Sequence, residues 1–283
     1  MAPVAAGVTA DPEWVVGFAE HAERCGFESI VAVEHVVVGA DYRSRYPYAS
    51  SGRMELPDDC VIPDPLVLLT FLAGVTRRIG LATGLLVLPD HHPVPLAKRV
   101  ATLDRLSGGR VRLVVGIGWM REEVEACGAD FESRGRRTDE SIAVMRALWA
   151  GGPASWSGEF FSFENLLCVP GPSQPGGVPI HIGGHSLAAA RRAGRHGDGF
   201  QPLGLRGESL SAALSGMRRA AEEAGRDPES IELSLGGVLA LKDEALADAE
   251  SLGATRMVLS PKPRPDLEAV KDEMSAFSER MAL

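Results

Sequence analysis

Short apolar runs rich in β-branched residues alternate with longer amphipathic segments from one end of the chain to the other. This alternation is typical of repeated strand–helix units around a parallel sheet. The apolar runs predict strands at residues 29–33, 79–88, 111–116, 178–182, 199–201, 231–235 and 257–260. The amphipathic segments predict helices at residues 11–25, 64–76, 93–106, 134–149, 186–196, 209–224, 243–252 and 265–281. We therefore expect an α/β protein with the (β/α)8 TIM-barrel fold.

Three segments depart from the alternation. Residues 3–7 are all that remains for a first strand, so this strand is predicted to be truncated. Residues 39–62 are polar and rich in Tyr and Ser, and long loops of this kind are usually lids or binding loops. Residues 151–177 are rich in Gly, Pro and aromatic residues, and they predict a small insertion before the fifth strand, with a hairpin at 156–167. No repeat or linker divides the chain, so residues 1–283 are expected to form a single domain.

Composition narrows the classes of partner. The formal net charge is -9 and no long Lys and Arg cluster occurs, so nucleic acid and anionic lipid are not expected to bind. The sequence has neither a secretory signal pattern nor 18 consecutive apolar residues, which predicts a cytoplasmic protein. The cysteines are far apart and lack a CxxC spacing, which predicts buried thiols and no metal site; they are Cys25, Cys60, Cys127 and Cys168. A small molecule is the expected partner.

The active site of such a barrel forms at the carboxyl ends of the strands. The candidate residues after the predicted strands are Glu34, His35, Thr83, Gly84, Gly116, Gly118, Trp119, Gly183, Gly184, His185, Ser186 and Gln201. The turn at 183–186 joins a strand to a helix N-terminus, which makes it a candidate phosphate site. A tight turn without a ligand is the alternative. His35 is the candidate acid–base residue, since imidazole exchanges protons near neutral pH.

Three other motifs do not indicate a functional site. Gly116 and Gly118 begin a pattern that resembles a dinucleotide fingerprint, but Arg121 occupies the position of the third glycine. His181 and His185 have no carboxylate between them, so a zinc protease motif is not expected. The two adjacent histidines at residues 91–92 precede a proline and are interpreted as part of a solvated loop.

Four sequence blocks together resemble the luciferase-like oxidoreductases of the coenzyme F420-dependent branch. They are GFESIVAVEHVV, RIGLATGLLVLPDHHPVPLAKRVATLDRLSGGRVRLVVGIGW, RGRRTDESIAVMRALW and PIHIGGHSLAAARRAGRHGDGFQP. The likeness covers about residues 12–202. It implies hydride transfer between a deazaflavin at the barrel mouth and an organic substrate. In this interpretation His35 lies near the hydride-carrying carbon, and Glu34 holds its tautomer or tunes its charge.

The resemblance also implies residues that bind the cofactor. Family members have a non-proline cis peptide at the end of the third strand, which matches Ala82, Thr83 and Gly84 and would support the ring from behind. The turn at 183–186 would hold the phosphate, and Arg137 would lie near the cofactor tail. A valine at Gly184 is expected to block the phosphate and leave the fold largely intact. A homodimer is also expected.

Other functions remain open at this point. Trp119 stands where some dehydrogenases of the family have a glutamate, so it is expected to shape the pocket. The same pocket fits a monooxygenase that uses reduced FMN from a separate reductase. A non-catalytic protein that carries the cofactor is a third alternative. The substrate depends on residues 39–62 and 151–177, which contain no interpretable motif.

Overall fold

The computed structural model describes residues 1–57 and 59–283. Within them, the strands are β1 (Ser29–Ala32), β2 (Gly80–Thr83), β3 (Leu86–Val87), β4 (Val111–Gly116), β5 (Ala154–Ser157), β6 (Ser162–Leu166), β7 (Ile180–Gly184), β8 (Gly199–Pro202), β9 (Glu232–Val238) and β10 (Ala254–Ser260). The helices in the same part of the chain are α1 (Pro12–Arg24), α2 (Pro65–Val75), α3 (Pro93–Ser107), α4 (Arg121–Ala126), α5 (Arg134–Trp149), α6 (Leu187–His196), α7 (Gly207–Glu223), α8 (Asp243–Ser251) and α9 (Leu267–Met281).

Parallel strands form the wall of a nearly closed barrel, which confirms the predicted fold class. They are hydrogen-bonded in the order β1, β2, β4, β7, β8, β9, β10, and β3 also pairs with β4. β3 follows β2 after a cis peptide bond between Gly84 and Leu85. The non-proline cis bond that the sequence predicts at the end of this strand is therefore confirmed.

The first residues of the chain lie between β10 and β1. The amino group of Met1 donates to the Leu259 carbonyl oxygen at 2.6 Å, and the Ala2 N–H donates to the Val31 carbonyl oxygen at 3.2 Å. Residues 3–7 were expected to be the remainder of a first strand, but they contain a short 3-10 helix at Val4–Ala6. The backbone contacts of this region are therefore made by residues 1 and 2 instead.

One buried apolar core includes strands of the barrel and the helices around it, and polar side chains mark where these helices begin. Leu81, Leu113 and Ile180, on neighbouring strands, are each 0% exposed. The Asp11 carboxylate accepts the backbone N–H groups of residues 13 and 14 at the start of α1, and Asp64 accepts that of residue 67 in α2. Each cap satisfies N–H groups that have no partner within the helix, so it fixes where the chain leaves the loop.

The insertion before the fifth predicted strand is present as an antiparallel hairpin. β5 and β6 pair with each other and not with the barrel. Glu140 of α5 anchors the hairpin, because its carboxylate accepts the Trp156 indole N–H and the backbone N–H groups of Phe160 and Phe161, each at 3.0 Å. The sequence pattern missed α4, which is only six residues long.

Candidate functional site

A cavity of about 730 Å³ opens at the carboxyl ends of the strands. Most of the candidate residues named from the sequence line it, and these are Glu34, His35, Gly84, Gly116, Gly118, Trp119, Gly183, Gly184, His185 and Ser186. They come from four separate strand ends that lie far apart in the sequence. The barrel therefore brings together the positions at which the apolar runs end in glycine or a polar residue.

Four sequence candidates do not line this cavity: Ala82, Thr83, Arg137 and Gln201. Gln201 is buried. The Thr83 hydroxyl donates to the Val114 carbonyl oxygen at 2.7 Å and accepts the Val114 N–H at 2.8 Å, so it joins β2 to β4. Their expected contacts with the cofactor therefore stay a prediction, and their side chains do not line this cavity.

Arg137 lies against the hairpin and does not line the cavity. Its guanidinium carbon lies 4.7 Å from the centre of the Phe161 ring, outside the cavity. Burial lowers the pKa of Arg137. Arg134, one turn earlier on α5, and Arg192 on α6 line the cavity instead. Arg192 pairs with Asp139.

His35 and Glu34 have different partners, which corrects the prediction that Glu34 holds the tautomer of His35. His35 Nδ1 lies 2.7 Å from Oε2 of Glu123 on α4. Glu34 instead accepts the Val87 N–H at 2.6 Å through Oε2, and its Oε1 lies 3.0 Å from His91 Nε2. Successive side chains of an extended segment point in opposite directions, so adjacency in sequence did not bring Glu34 and His35 into contact.

Three acidic side chains, Glu34, Asp90 and Glu123, form what we call the carboxyl cluster. Glu34 is 6% exposed and Glu123 is 2% exposed. Both Asp90 oxygens are buried and have no hydrogen-bond partner among the described residues. Burial, with the charges of Glu123 and Glu34, raises the pKa of Asp90 to about 8. Burial and the same cluster raise the pKa of the Cys127 thiol to about 11.

The turn at 183–186 joins β7 to the N-terminus of α6, and its glycines allow close packing. Ser186 caps α6 by accepting the Ala189 N–H at 3.1 Å. Gly184 has a φ of 149°, and a Cβ there would lie 2.8 Å from the Cβ of Ala189. The expectation that a valine at Gly184 leaves the fold intact is therefore wrong. A Cβ on Gly183 would lie 2.7 Å from the Leu85 side chain, which lines the cavity floor beside it.

Aromatic rings form one wall of the cavity, and residues 39–62 supply Tyr46 and Tyr48. The Trp119 ring centre lies 5.8 Å from that of His35 and 5.0 Å from that of Tyr46. Tyr46 contacts Tyr48, whose hydroxyl lies 3.2 Å from His185 Nδ1. The loop predicted to bind substrate therefore does contribute to the cavity, and Trp119 shapes it.

Glu122 of α4 holds this loop in place. Its carboxylate accepts the Arg43 N–H and the Ser44 hydroxyl, each at 2.6 Å. The Ser44 hydroxyl is the largest cause that lowers the pKa of Glu122 to about 2. Adjacent acids on one short helix therefore anchor different parts of the site, because Glu122 holds the loop and Glu123 holds His35.

The sequence analysis missed Glu123, Asp90 and His91. Residues 91–92 were interpreted as a solvated loop, but the His91 side chain is 12% exposed and contacts Glu34. Glu123 lies 88 positions from His35 in the sequence. The one sequence signal for it was the acidic pair directly after the glycine-rich end of a strand.

The described residues give two negative results. Among them, no helix is both long and apolar enough to cross a membrane. In the same residues, no group of three or more His, Cys, Asp or Glu side chains is arranged to hold a metal ion.

Comparison with known proteins links this site to one family. The sequence model described as luciferase-like monooxygenase matches residues 2–280. An uncharacterized protein of Mycobacterium tuberculosis is 33% identical over 245 residues, which cover 84% of each chain. An F420-dependent glucose-6-phosphate dehydrogenase of Mycolicibacterium fortuitum is 34% identical over 179 residues, which cover 60% of this chain and 52% of that protein.

Solved structures agree on the fold. A monooxygenase from Streptomyces bottropensis aligns with a TM-score of 0.75 and 24% identity, over 99% of this chain and 96% of that one. An F420-dependent secondary alcohol dehydrogenase aligns with a TM-score of 0.77 and 18% identity, over 96% and 94% of the two chains.

Proposed function

The chain belongs to the luciferase-like monooxygenase family, and we propose that it is an oxidoreductase that transfers a hydride between coenzyme F420 and a small organic substrate. The observation that carries the proposal is that an anion-type turn and an oriented histidine open on the same cavity. Gly183, Gly184 and Ser186 line it on one side, and His35 lines it on another. The relative named as an F420-dependent dehydrogenase supports the choice of cofactor.

The residues fit an anionic cofactor tail. The first N–H groups of α6 lie behind the turn and have no partner within the helix, which favours a phosphate there. Arg134 adds positive charge to the cavity lining, whereas the charge of Arg192 is offset by Asp139. The apolar side chains of Leu85 and Val87 also line the cavity and offer a surface for a flat ring. These contacts support a bound deazaflavin, and the same groups would accept FMN.

His35 is the proposed acid–base residue, and it needs no metal partner for this role. When bound, the deazaflavin would accept or supply a hydride. During oxidation of an alcohol, the substrate C–H bond breaks with loss of the hydride, and His35 Nε2 takes the hydroxyl proton, so that a carbonyl forms. In the reduction direction, His35 returns that proton to the oxygen. Trp119 and Tyr46 exclude water from this part of the cavity and orient the substrate.

Cofactor titration tests the proposal. We expect the purified protein to bind F420 more tightly than FMN, followed by the change in deazaflavin fluorescence and by flavin fluorescence in parallel. Preferential binding of FMN would favour the monooxygenase alternative instead. Binding of F420 with no turnover of alcohols, enones or imines would favour a protein that carries the cofactor. Light scattering of the same samples tests the proposed homodimer.

His35→Ala tests the acid–base role. Turnover should fall by about 100-fold or more, which is the usual size of a general acid–base contribution, while F420 affinity changes much less. The matched variant His185→Ala removes the other histidine of the cavity lining. Turnover that survives in His35→Ala but falls in His185→Ala would assign the proton transfer to His185.

A further inference from the structure

The carboxylate beside His35 has two oxygens with different and fixed partners. Glu123 Oε2 lies 2.7 Å from His35 Nδ1. Its Oε1 accepts the backbone N–H of Val36 at 2.6 Å and that of Val37 at 3.3 Å. The Glu123 side chain is 2% exposed, so water does not compete for these contacts. Rotation of the carboxylate to exchange its two oxygens would therefore break the hydrogen bonds from the backbone.

We propose that Glu123 is the positioning residue that fixes the tautomer of His35, an inference that rests on the proposed acid–base role of His35. An ionised carboxylate only accepts hydrogen bonds, so Nδ1 must carry the hydrogen when it faces Oε2. Nε2 is then the nitrogen without a hydrogen in the neutral ring. It is left for a substrate in the cavity that His35 lines. A carboxylate that orients a histidine through Nδ1–H is a recurrent arrangement in acid–base pairs.

Asp90 supports this assignment because it adds no second negative charge beside Glu123. Its pKa of about 8 keeps it as a neutral acid near pH 7. Glu123 is then the acceptor that His35 meets, and Glu34 is occupied by His91 and the Val87 N–H. The titratable groups that face the pair are thus the Glu34 carboxylate, the neutral acid Asp90, the Cys127 thiol and the imidazole of His91.

Glu123→Gln tests the assignment because the backbone dictates how the new amide must sit. The N–H groups of Val36 and Val37 require an acceptor, so the amide oxygen takes the place of Oε1. The amide NH2 group must then face His35 Nδ1. Nδ1 becomes the acceptor, and the hydrogen of the neutral ring moves to Nε2. The cavity nitrogen could then donate a hydrogen bond but could not take a proton.

Nitrogen NMR of histidine-labelled protein reads the tautomer directly and needs neither cofactor nor substrate. The His35 signals are assigned by their loss in His35→Gln. At about 1 pH unit above the usual imidazole pKa of about 6.5, Asp90 still holds most of its proton. For the neutral ring we then expect the Nδ1–H form in the wild type and the Nε2–H form in Glu123→Gln. The control Glu23→Gln makes the same change at a carboxylate that accepts the N–H groups of residues 77–79. It should leave the His35 signals unchanged.

The outcomes separate this inference from the proposed function. The Nε2–H form in the wild type, or the Nδ1–H form in a folded Glu123→Gln, would overturn the inference. If Glu123→Gln does not fold, the wild-type tautomer alone decides. A switched tautomer with normal turnover would retain Glu123 as the positioning residue and would refute the acid–base role of His35.

Turnover gives a second readout that a purely structural role would not produce. Glu123→Gln should lower kcat by about 10²- to 10⁴-fold, as replacement of a histidine-orienting acid by its amide does elsewhere. Glu123→Ala removes more contacts but leaves Nδ1 free to carry a hydrogen. Its kcat should therefore fall less than that of Glu123→Gln. The opposite order would contradict the inference.

Discussion

Asp90→Asn should stabilise the protein, and the gain should increase with pH. Both Asp90 oxygens are buried without a partner among the described residues, beside two further carboxyl groups. The folded protein therefore holds a proton on Asp90 that the unfolded chain releases above its ordinary value of 3.8. Because the folded state binds more protons, the wild type loses stability as the pH rises from about 4 to about 8. Asparagine is close in shape and has no proton to release.

The magnitude follows from the difference in pKa between the two states. A rise from 3.8 to about 8 is about 4 units, and each unit corresponds to 1.36 kcal/mol. The upper limit of the gain is therefore about 6 kcal/mol in the free energy of unfolding at high pH. Partial exposure of the residue and relaxation around the charge reduce this value, so we expect a gain between about 2 and 6 kcal/mol.

Urea denaturation followed by tryptophan fluorescence measures this difference from about pH 5 to pH 9. The variant is compared with the wild type at each pH, because Glu34 and Glu123, which act on Asp90, also contact His91 and His35. The difference should rise through the range and level off above about pH 8. A difference that is constant with pH would show that Asp90 is ionised in the folded protein, and it would refute the reasoning.

Two further substitutions test the barrel and the cavity. Thr83→Val keeps the shape of the side chain but leaves the N–H and carbonyl groups of Val114 without the Thr83 hydroxyl. The free energy of unfolding in urea should therefore fall by about 2–4 kcal/mol. An unchanged value would contradict the role of Thr83 as the link between β2 and β4. Arg134→Ala should weaken F420 binding about 10-fold in a fluorescence titration, equivalent to about 1.4 kcal/mol, whereas the control Arg137→Ala on the same helix should change it little. Equal losses in both variants would remove the distinction between them.

The order of strands and helices was predictable because each element buries its own apolar face. Residues 111–116 and 134–149 form the strand and helix that their periodicity indicates. α4 was not predictable in this way, since its six residues are too few to show a helical period. The prediction of a strand at residues 3–7 was wrong for a related reason. A short apolar run by itself does not distinguish a strand from a 3-10 helix.

The site was predictable as a set of strand ends but not as a set of partners. The barrel fold alone places His35 and the turn at 183–186 at the same mouth. The partner of His35 depends on where α4 packs, and no local pattern gives this. The contact between Arg137 and Phe161 was not predictable either, because it depends on where the hairpin packs against α5. Contacts between distant segments are thus the part that sequence periodicity leaves undetermined.

The carboxyl cluster explains why one acid must stay neutral. Glu123 pairs with His35 and Glu34 pairs with His91, so two carboxylates meet two imidazoles. The charges that act on Asp90 are those of Glu123 and Glu34, and an ionised Asp90 would be a third anion without a cation to offset it. With Asp90 neutral, a proton that arrives on His35 leaves the His35–Glu123 pair without net charge, and its departure leaves one negative charge. In the proposed acid–base role of His35, the cluster would therefore pass between two charge states that differ by the one proton exchanged with the substrate.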